Sequence, residues 1–445
     1  MRGLINLGFF VALSALGLTG CNSENGGSGG GNAGPSVQTE PFFCAGGICS
    51  LARGVALNEE YATTVQDELI SGNVILKAAN DSELMLTHAI EWNSSHSLTL
   101  QANNDIHIQG GITASAGQLI IDNPGHQYDL RKPVNLSAGP NLRVNGESYT
   151  VITELGAPGS TTATDLQGMN GNLTANYALG ADIDAAATSS WNGGEGFSPI
   201  ALEDSVQGAF KGDFTGLGHI IRNFQIERTT STNVGLFSVL NGSTIRDVAL
   251  RDTTITGKDF VGAVAGSVTG QSQISGSCVV GGTIEALNNA AGGLVGEQSA
   301  SLTITDSCVV RIRVSREDYA GGFIGNQNAG ATIIRQSYFA GYFSGNGSNS
   351  NNTGIYIGAF AVQPTISESL YYLQSGTIPG GSPSGSTQLV SSQLSQLAPY
   401  ENANWDISDD PDQHSLWFLN VPLNPYLLPM LRVFDINMNE YNYDA

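Results

Sequence analysis

Positive charge is the scarcest thing in this chain. Only four lysines occur in 445 residues (Lys77, Lys132, Lys211, Lys258), and lysine plus arginine number 17 against 39 acidic residues. The formal net charge is −22. That balance excludes a nucleic-acid partner, whose phosphates demand a basic footprint. It suits a soluble, self-repelling extracellular surface. Charge of either sign is low as well, at 13% of residues. After the first twenty residues no helix-period amphipathic stretch of useful length is read, so a helical bundle is not expected. His-Glu-x-x-His is missing, and Gly-x-Ser-x-Gly occurs only as Gly26-Gly27-Ser28-Gly29-Gly30 in a glycine-rich stretch with no strand or helix pattern around it, so neither zinc-peptidase nor serine-hydrolase chemistry of those types is expected.

What is present in excess is glycine, 57 residues, with many short Val/Ile/Leu runs between Gly, Asn and Asp. That combination predicts a β-rich protein with many turns. In the second half the pattern repeats. The phrases Gly235-Leu-Phe-Ser, Ala263-Val-Ala-Gly, Gly293-Leu-Val-Gly, Gly322-Phe-Ile-Gly and Gly358-Ala-Phe-Ala recur. Each is followed by an isoleucine, in turn Ile245, Ile274, Ile304, Ile334 and Ile366, at separations of 29, 30, 30 and 32 residues. In the first half Val74, Leu98 and Leu119 open shorter copies, and Leu98/Leu100/Ala102 alternate at period two, as strands do.

Periods of this length with short strands predict a right-handed parallel β-helix, all-β, with a C-terminal cap. Each repeat would be one coil, stacked on the next at about 4.8 Å. The five isoleucines would form an internal ladder. The glycines would mark one corner, where backbones approach and positive φ is tolerated. A phosphate-binding role for the glycine phrase needs a following helix, and none is read there.

Five cysteines fit an exported protein. Cys44 and Cys49 would close a small disulfide loop around Gly46-Gly47. Cys278 and Cys308 hold matching places, four residues after Ile274 and Ile304. Even spacing puts them on the isoleucine face, either bonded across two coils or buried as thiols.

The N-terminus carries Arg2, an apolar run from Leu4 to Leu18, and then Leu18-Thr19-Gly20-Cys21. The run is short for a membrane span of about 20 residues, and reads as a removable signal. Its ending resembles the bacterial lipobox. The resemblance implies lipidation of Cys21, a membrane partner through that lipid, and, with Asn22 following, export to the outer membrane and cell surface of a Gram-negative bacterium. The Gly/Ser/Asn stretch behind it would be a flexible tether reaching roughly 25 Å.

The repeat phrases resemble the GLUG repeat of bacterial surface proteins. The stretches "YALGADIDA" (177–185) and "FKGDFTGLGHIIRNFQI" (210–226) resemble the segment before such repeats in filamentous-haemagglutinin-type adhesins, and "SLTLQANNDIHI" (97–108) resembles their upstream coils. The resemblance implies a surface-exposed β-helical stalk acting as an adhesin-like or structural scaffold for a surface protein or glycan ligand, not an enzyme, without cofactor or metal. The rival is a β-helical polysaccharide lyase or hydrolase, or a carbohydrate-binding accessory protein. Its candidate residues would be Asp182, Asp184, Asp213 and His219.

Five segments are expected: a signal peptide over 1–20, a tether and cysteine loop over 21–55, haemagglutinin-like coils over 56–150, GLUG-type coils over 151–375, and a closing segment over 376–445. Aromatics gather late, at Tyr338, Phe339, Tyr342, Phe343, Tyr371 and Tyr372. They are expected to form aromatic ladders down the coil, the alternative being that the odd-numbered members face out as a stacking surface for sugar or protein. Trp405 and Trp417 are expected to close the open end.

Overall fold

A computed structural model describes residues 40–202, 208–345, 352–373, 384–410, 413–419 and 428–434. The signal peptide, Cys21, the tether as far as residue 39 and residues 346–351 of the fourth-repeat insertion lie outside the described residues. The described residues form a parallel β-helix, nearly all-β, with strand far outweighing helix. Its backbone is a single long sheet of 14 strands that runs from the first coil to the last.

The first stack has three sides. Val74–Ala78, Ser97–Gln101 and Gln118–Asp122 lie in the long sheet. Two three-stranded parallel sheets complete the coils, Leu84–Leu86 to Tyr128–Leu130 and Ile90–Trp92 to Val134–Leu136. Alternation sends Leu98, Leu100, Leu119 and Ile121 inward, all fully buried.

One helix was not anticipated. Glu59–Ser71 starts at Asn58, whose Oδ1 accepts from the Tyr61 N–H at 3.0 Å. It buries Ala62, Val65 and Leu69. The Glu91 N–H donates to Gln66 Oε1 at 2.7 Å, so the helix covers the strand Ile90–Trp92 at the start of its sheet. The hairpin Phe42–Ala45 and Ile48–Leu51 begins the long sheet beside it. Helix and hairpin together close the N-terminal end and leave fewer strand edges open to pairing.

The second stack has four sides. One coil reads Ser272–Ser275, Cys278–Ala286, Ala290–Gly292 and Val295–Gln298. In the long sheet Tyr177, Phe214, Ile245, Ile274, Ile304, Ile334 and Ile366 stand directly in register. Burying each isoleucine is worth about 2–3 kcal/mol.

Between the stacks the long sheet turns over. Gly139–Val144 runs parallel to the first stack, but its neighbour Glu147–Ile152 is antiparallel to it, joined through Asn145 and Gly146 at φ 50° and 90°. Every later strand of this sheet follows the new direction. Register shows what happens to the core. Leu142 pairs with Tyr149, and Tyr149 with Asn176, so these share one face. Tyr177, and with it Phe214 and Ile245, point to the opposite face. The hydrophobic interior therefore changes sides of one continuous sheet.

The corner after each of the last five long-sheet strands holds a single left-handed residue: Asp247, Gly276, Asp306, Gln336 and Glu368, at φ 47–55°. This breaks the alternation that the sequence reading carried across it. Cys278 and Cys308 accordingly lie on the outer face with Tyr338 and Leu370, while Val279, Val309 and Phe339 point inward with the isoleucines. The placement of both cysteines inside the coil is thus corrected.

Glycine columns follow the same logic. Gly293 and Gly322 are in register, and a Cβ on Gly293 would strike the carbonyl oxygen of Gly322. Gly235 belongs to this column, whose last member is Ile355, not Gly358. Gly358 stands instead above Gly325, one column over. None of these four has positive φ, so close backbone approach is the whole reason for glycine here.

The C-terminal segment starts as the edge strand Ser386–Gln388, beside Ser369–Leu373. It then runs back along the flank of the second stack. The Trp405 indole N–H donates to Glu368 O at 2.7 Å, and Trp405 stacks on Trp417 at 4.3 Å between ring centres. Arg131, near the end of the first stack, donates to His414 O at 2.7 Å and to Asp406 Oδ2 at 3.2 Å. The two tryptophans therefore pack on the outer flank of the last coils, at Glu368 and Tyr338, while the neighbouring Asp406 and His414 reach Arg131 of the first stack.

Candidate functional site

Three places merit chemical scrutiny: the seam between the stacks, the cysteine column, and the outer face of the second stack.

At the seam, His219 is buried. Its Nδ1 lies 3.1 Å from Asp182 Oδ1, and its Nε2 3.0 Å from Val134 O in the first stack. Asp182 Oδ1 also accepts the Ile220 N–H at 3.1 Å. Burial works against the Asp182 charge, but His219 and the Ile220 N–H outweigh it and hold the carboxyl below its usual range. Asp184 faces outward, and its carboxyl is held low by Asn223 and the Ala186 N–H. Asp213 Oδ1 accepts the Thr244 N–H at 2.8 Å, a separate contact within the next coil. So Asp182 and His219 meet, while Asp184 and Asp213 serve other contacts. Both His219 nitrogens are engaged, one of them by the neighbouring stack. This arrangement clamps two coils together, and it does not present an acid and a base to a sugar.

A second polar cluster was missed in sequence. His107 Nδ1 is 2.6 Å from Asp129 Oδ2, and the buried Arg131 donates to Asp129 Oδ1 at 2.7 Å. The Asp129 hydrogen bond raises the His107 pKa against the opposing effect of burial. Nearby, Arg246 lies 3.8 Å over the Tyr128 ring and donates to Asp247 Oδ2 at 2.6 Å. Burial pushes Asp306, on the same corner column, up to about 6. His107 and Asp129 stand at matching positions of adjacent coils, with Arg131 two residues beyond Asp129, so only knowledge of the 22-residue register would have joined His107 to Asp129.

Cys278 and Cys308 are bonded directly across two neighbouring strands, with Cα atoms 4.5 Å apart. Cys44 and Cys49 are bonded across the first hairpin, Cα atoms 4.0 Å apart. Beside the long-range bond runs a buried serine column. The hydroxyls of Ser277, Ser307, Ser337 and Ser369 each donate to the carbonyl two residues earlier, at 2.8–2.9 Å. The N–H groups of Ser277, Ser307 and Ser337 donate to the next hydroxyl in line at 3.2–3.4 Å.

The outer face of the second stack beyond the cysteines is a polar strip. Gln225, Thr254, Thr283, Arg313 and Tyr342 are in register across five strands. Glu227, Thr256, Glu285, Ser315 and Ser344 form the row beside it. Arg313 Nε donates to Ser344 Oγ at 2.7 Å, which fixes the guanidinium along the strip. The odd-numbered aromatics do not face out. Phe339 and Tyr371 are interior, and Phe343 stacks on Phe339 at 5.2 Å. The even-numbered Tyr342 and Tyr372 are half-buried and face out, and Tyr338 is covered by Tyr400 and Trp405.

Fold and surface define a parallel β-helix with one disulfide between coils and one across the first hairpin. Residues 162–281 match the model of the M26 IgA1-specific metallo-endopeptidase N-terminal region. Halomucin of Haloquadratum walsbyi is 38% identical over 176 residues, which are 37% of this chain and 2% of that protein. The chain therefore spans only a small part of the curated relative it matches. A crystal structure of a candidate immunoglobulin A1 protease from Bacteroides ovatus is 17% identical, with a TM-score of 0.44, over 64% of this chain and 92% of that one. The family match and the likeness to halomucin support an extracellular or cell-surface location. They share with the GLUG and haemagglutinin resemblance its coarser content, a surface protein.

The match corrects one expectation outright. The sequence leads to the expectation that the chain is not an enzyme, whereas residues 162–281 fall in a region named for a metallo-endopeptidase family. The sequence reading relied on the missing His-Glu-x-x-His, a motif that speaks only for the segment that would carry it. Among the described residues no three His, Cys, Asp or Glu side chains converge to hold a metal ion. The described residues do not fit one.

Proposed function

We propose that this chain is a lipid-anchored, surface-displayed β-helical scaffold of a protease-like surface protein family, holding a protein or glycan ligand along its second stack. The observation that carries this is the polar strip from Gln225 to Tyr342. Five coils present it in strict register, each strand about 4.8 Å from the next. A linear ligand meets such a strip at many equivalent points, and weak contacts add. The lipobox-like Cys21 supplies the anchor, and the GLUG-like phrases supply the adhesin-like character. The peptidase name attached to residues 162–281 makes immunoglobulin A1 the first protein ligand to test.

The test is binding of the full chain to immobilised immunoglobulins and a glycan array, followed by electrophoresis of each bound protein. Saturable binding is expected. The Arg313→Ala/Tyr342→Ala double variant is expected to weaken it by about tenfold or more, as loss of two well-placed contacts does. Its melting temperature should stay close to that of the parent. Absence of saturable binding to every ligand sinks the proposal. Cleavage of the bound protein would shift the reading from holding a substrate to processing it.

A further inference from the structure

Seven Asn-x-Ser/Thr triplets occur in the sequence, at Asn80, Asn93, Asn135, Asn172, Asn241, Asn346 and Asn351. In an exported protein such a triplet is an acceptor for N-linked glycan where it lies on an accessible loop. Chance supplies several in an Asn- and Ser-rich chain, so the structure must discriminate. Two conditions are chemical. The asparagine amide must be free to attack, and the hydroxyl two residues on must be free to be gripped by the transferase.

Four of the five described triplets fail. Asn80 depends on Ser82, which is buried. Asn135 lies within the strand Val134–Leu136, and its amide donates to Thr113 Oγ1 at 3.2 Å. Asn172 is closed on itself, its Oδ1 accepting both the N–H and the hydroxyl of Thr174 at 3.2 and 3.0 Å. Asn241 depends on Ser243, buried and donating to Phe210 O at 3.0 Å.

Asn93 meets both conditions. Asn93 and Ser95 are exposed in the bend that follows the strand Ile90–Trp92. The bend is pinned on either side and not through the acceptor itself. Trp92 Nε1 donates to His96 O at 2.9 Å, and Ser94 Oγ to Leu69 O at 2.5 Å. Asn93 also borders a groove of about 430 Å³ between the Glu59–Ser71 helix and the coil. One further feature sets it apart. Of the seven triplets, only this one has an acidic residue two places earlier, the exposed Glu91. An acid there gives a cationic transferase site a charge-assisted contact that fixes the direction of the peptide.

We infer that Asn93 is an N-glycosylation site of the exported protein. The donor would be an oligosaccharide linked to a polyprenyl diphosphate. Asn93 Nδ2 forms a bond to the anomeric carbon, the bond from that carbon to the diphosphate oxygen breaks, and the polyprenyl diphosphate leaves with the electron pair. One amide proton is released. The glycan would stand over the groove beside the capping helix, where Ile70 is otherwise exposed.

The experiment is glycopeptide mass spectrometry on the full chain purified from its native host. A glycan mass is expected on Asn93, with Asn80, Asn135, Asn172 and Asn241 bare. N93Q and S95A remove it, and E91Q lowers occupancy by about tenfold, the size of one lost charge-assisted bond. Melting curves of the unmodified N93Q chain check that folding is unchanged. A bare Asn93 in surface-located protein overturns the inference, as does a glycan that survives S95A or sits on another triplet instead.

Discussion

Gly293 has no room for a side chain. A Cβ there would run into the Gly322 carbonyl of the next coil, and the Val309 side chain lies close by. Gly293→Val is expected to lower stability by about 2–3 kcal/mol, the usual range for overpacking. Gly72→Ala, where a Cβ meets nothing within 4 Å, should change it by under about 1 kcal/mol. Chemical denaturation of both variants decides. Asp306 carries a second prediction at this scale. Its folded pKa, about 6, lies above the ordinary 3.8, so the folded state holds its proton more tightly. The sign follows from linkage: the protonated form favours folding, and stability falls as pH rises from about 4 to about 6. Asp306→Asn removes the buried charge and keeps a residue tolerant of the left-handed corner. It should raise stability by about 1–2 kcal/mol at pH 7.5 and leave it unchanged near pH 3.5, read from melts at both values.

The corner residues decide what can be read at the level of an element. Ile245 to Ile366 were legible as a ladder because one strand per coil repeats at nearly constant spacing. The path from Ile274 to Cys278 was not, because counting by twos assumes an unbroken strand and Gly276 breaks it at φ 55°. Gly358 was assigned to the wrong column for a related reason. Sequence likeness aligned its phrase by the glycine, while register aligns Ile324 with Ile357 and so Gly325 with Gly358. The Glu59–Ser71 helix escaped notice because it buries only three side chains, Ala62, Val65 and Leu69, on an otherwise polar segment. Among the candidate catalytic residues, the sequence brought Asp182 and His219 into view but not their contact with Val134, 85 residues away from His219. The cross-strand disulfide gives the prediction for this scale. Cys278–Cys308 closes a separation of 30 residues, and its loss through the double serine variant should cost about 3–4 kcal/mol. Loss of Cys44–Cys49, with a separation of 5, should cost about 2 kcal/mol. Urea midpoints of the two double variants test the order.

At the scale of the whole molecule, the C-terminal segment ties the two stacks through Arg131, Asp406 and Glu368. Trp405→Ala/Trp417→Ala should loosen this tie without dismantling the coils. Hydrogen exchange is expected to rise in Cys278–Ala286 and Cys308–Ser315, beneath the segment, and to stay unchanged in Ser97–Gln101. A uniform rise throughout would show that the segment supports the entire fold. This segment was the least legible part of the chain. It has no repeat, and its partners are residues nearly 300 positions away, such as Arg131 for His414.

The turn at Asn145 and Gly146 gives the molecule a fixed origin. On either side of it, whole coils are interchangeable units, since each meets its neighbours through the same register. At the turn itself that freedom ends, because one added coil there would bring its oily side to the solvent. Relatives of this chain should therefore differ in length by complete coils gained or lost away from residues 139–152, with the hairpin held constant as the hinge of the family's growth.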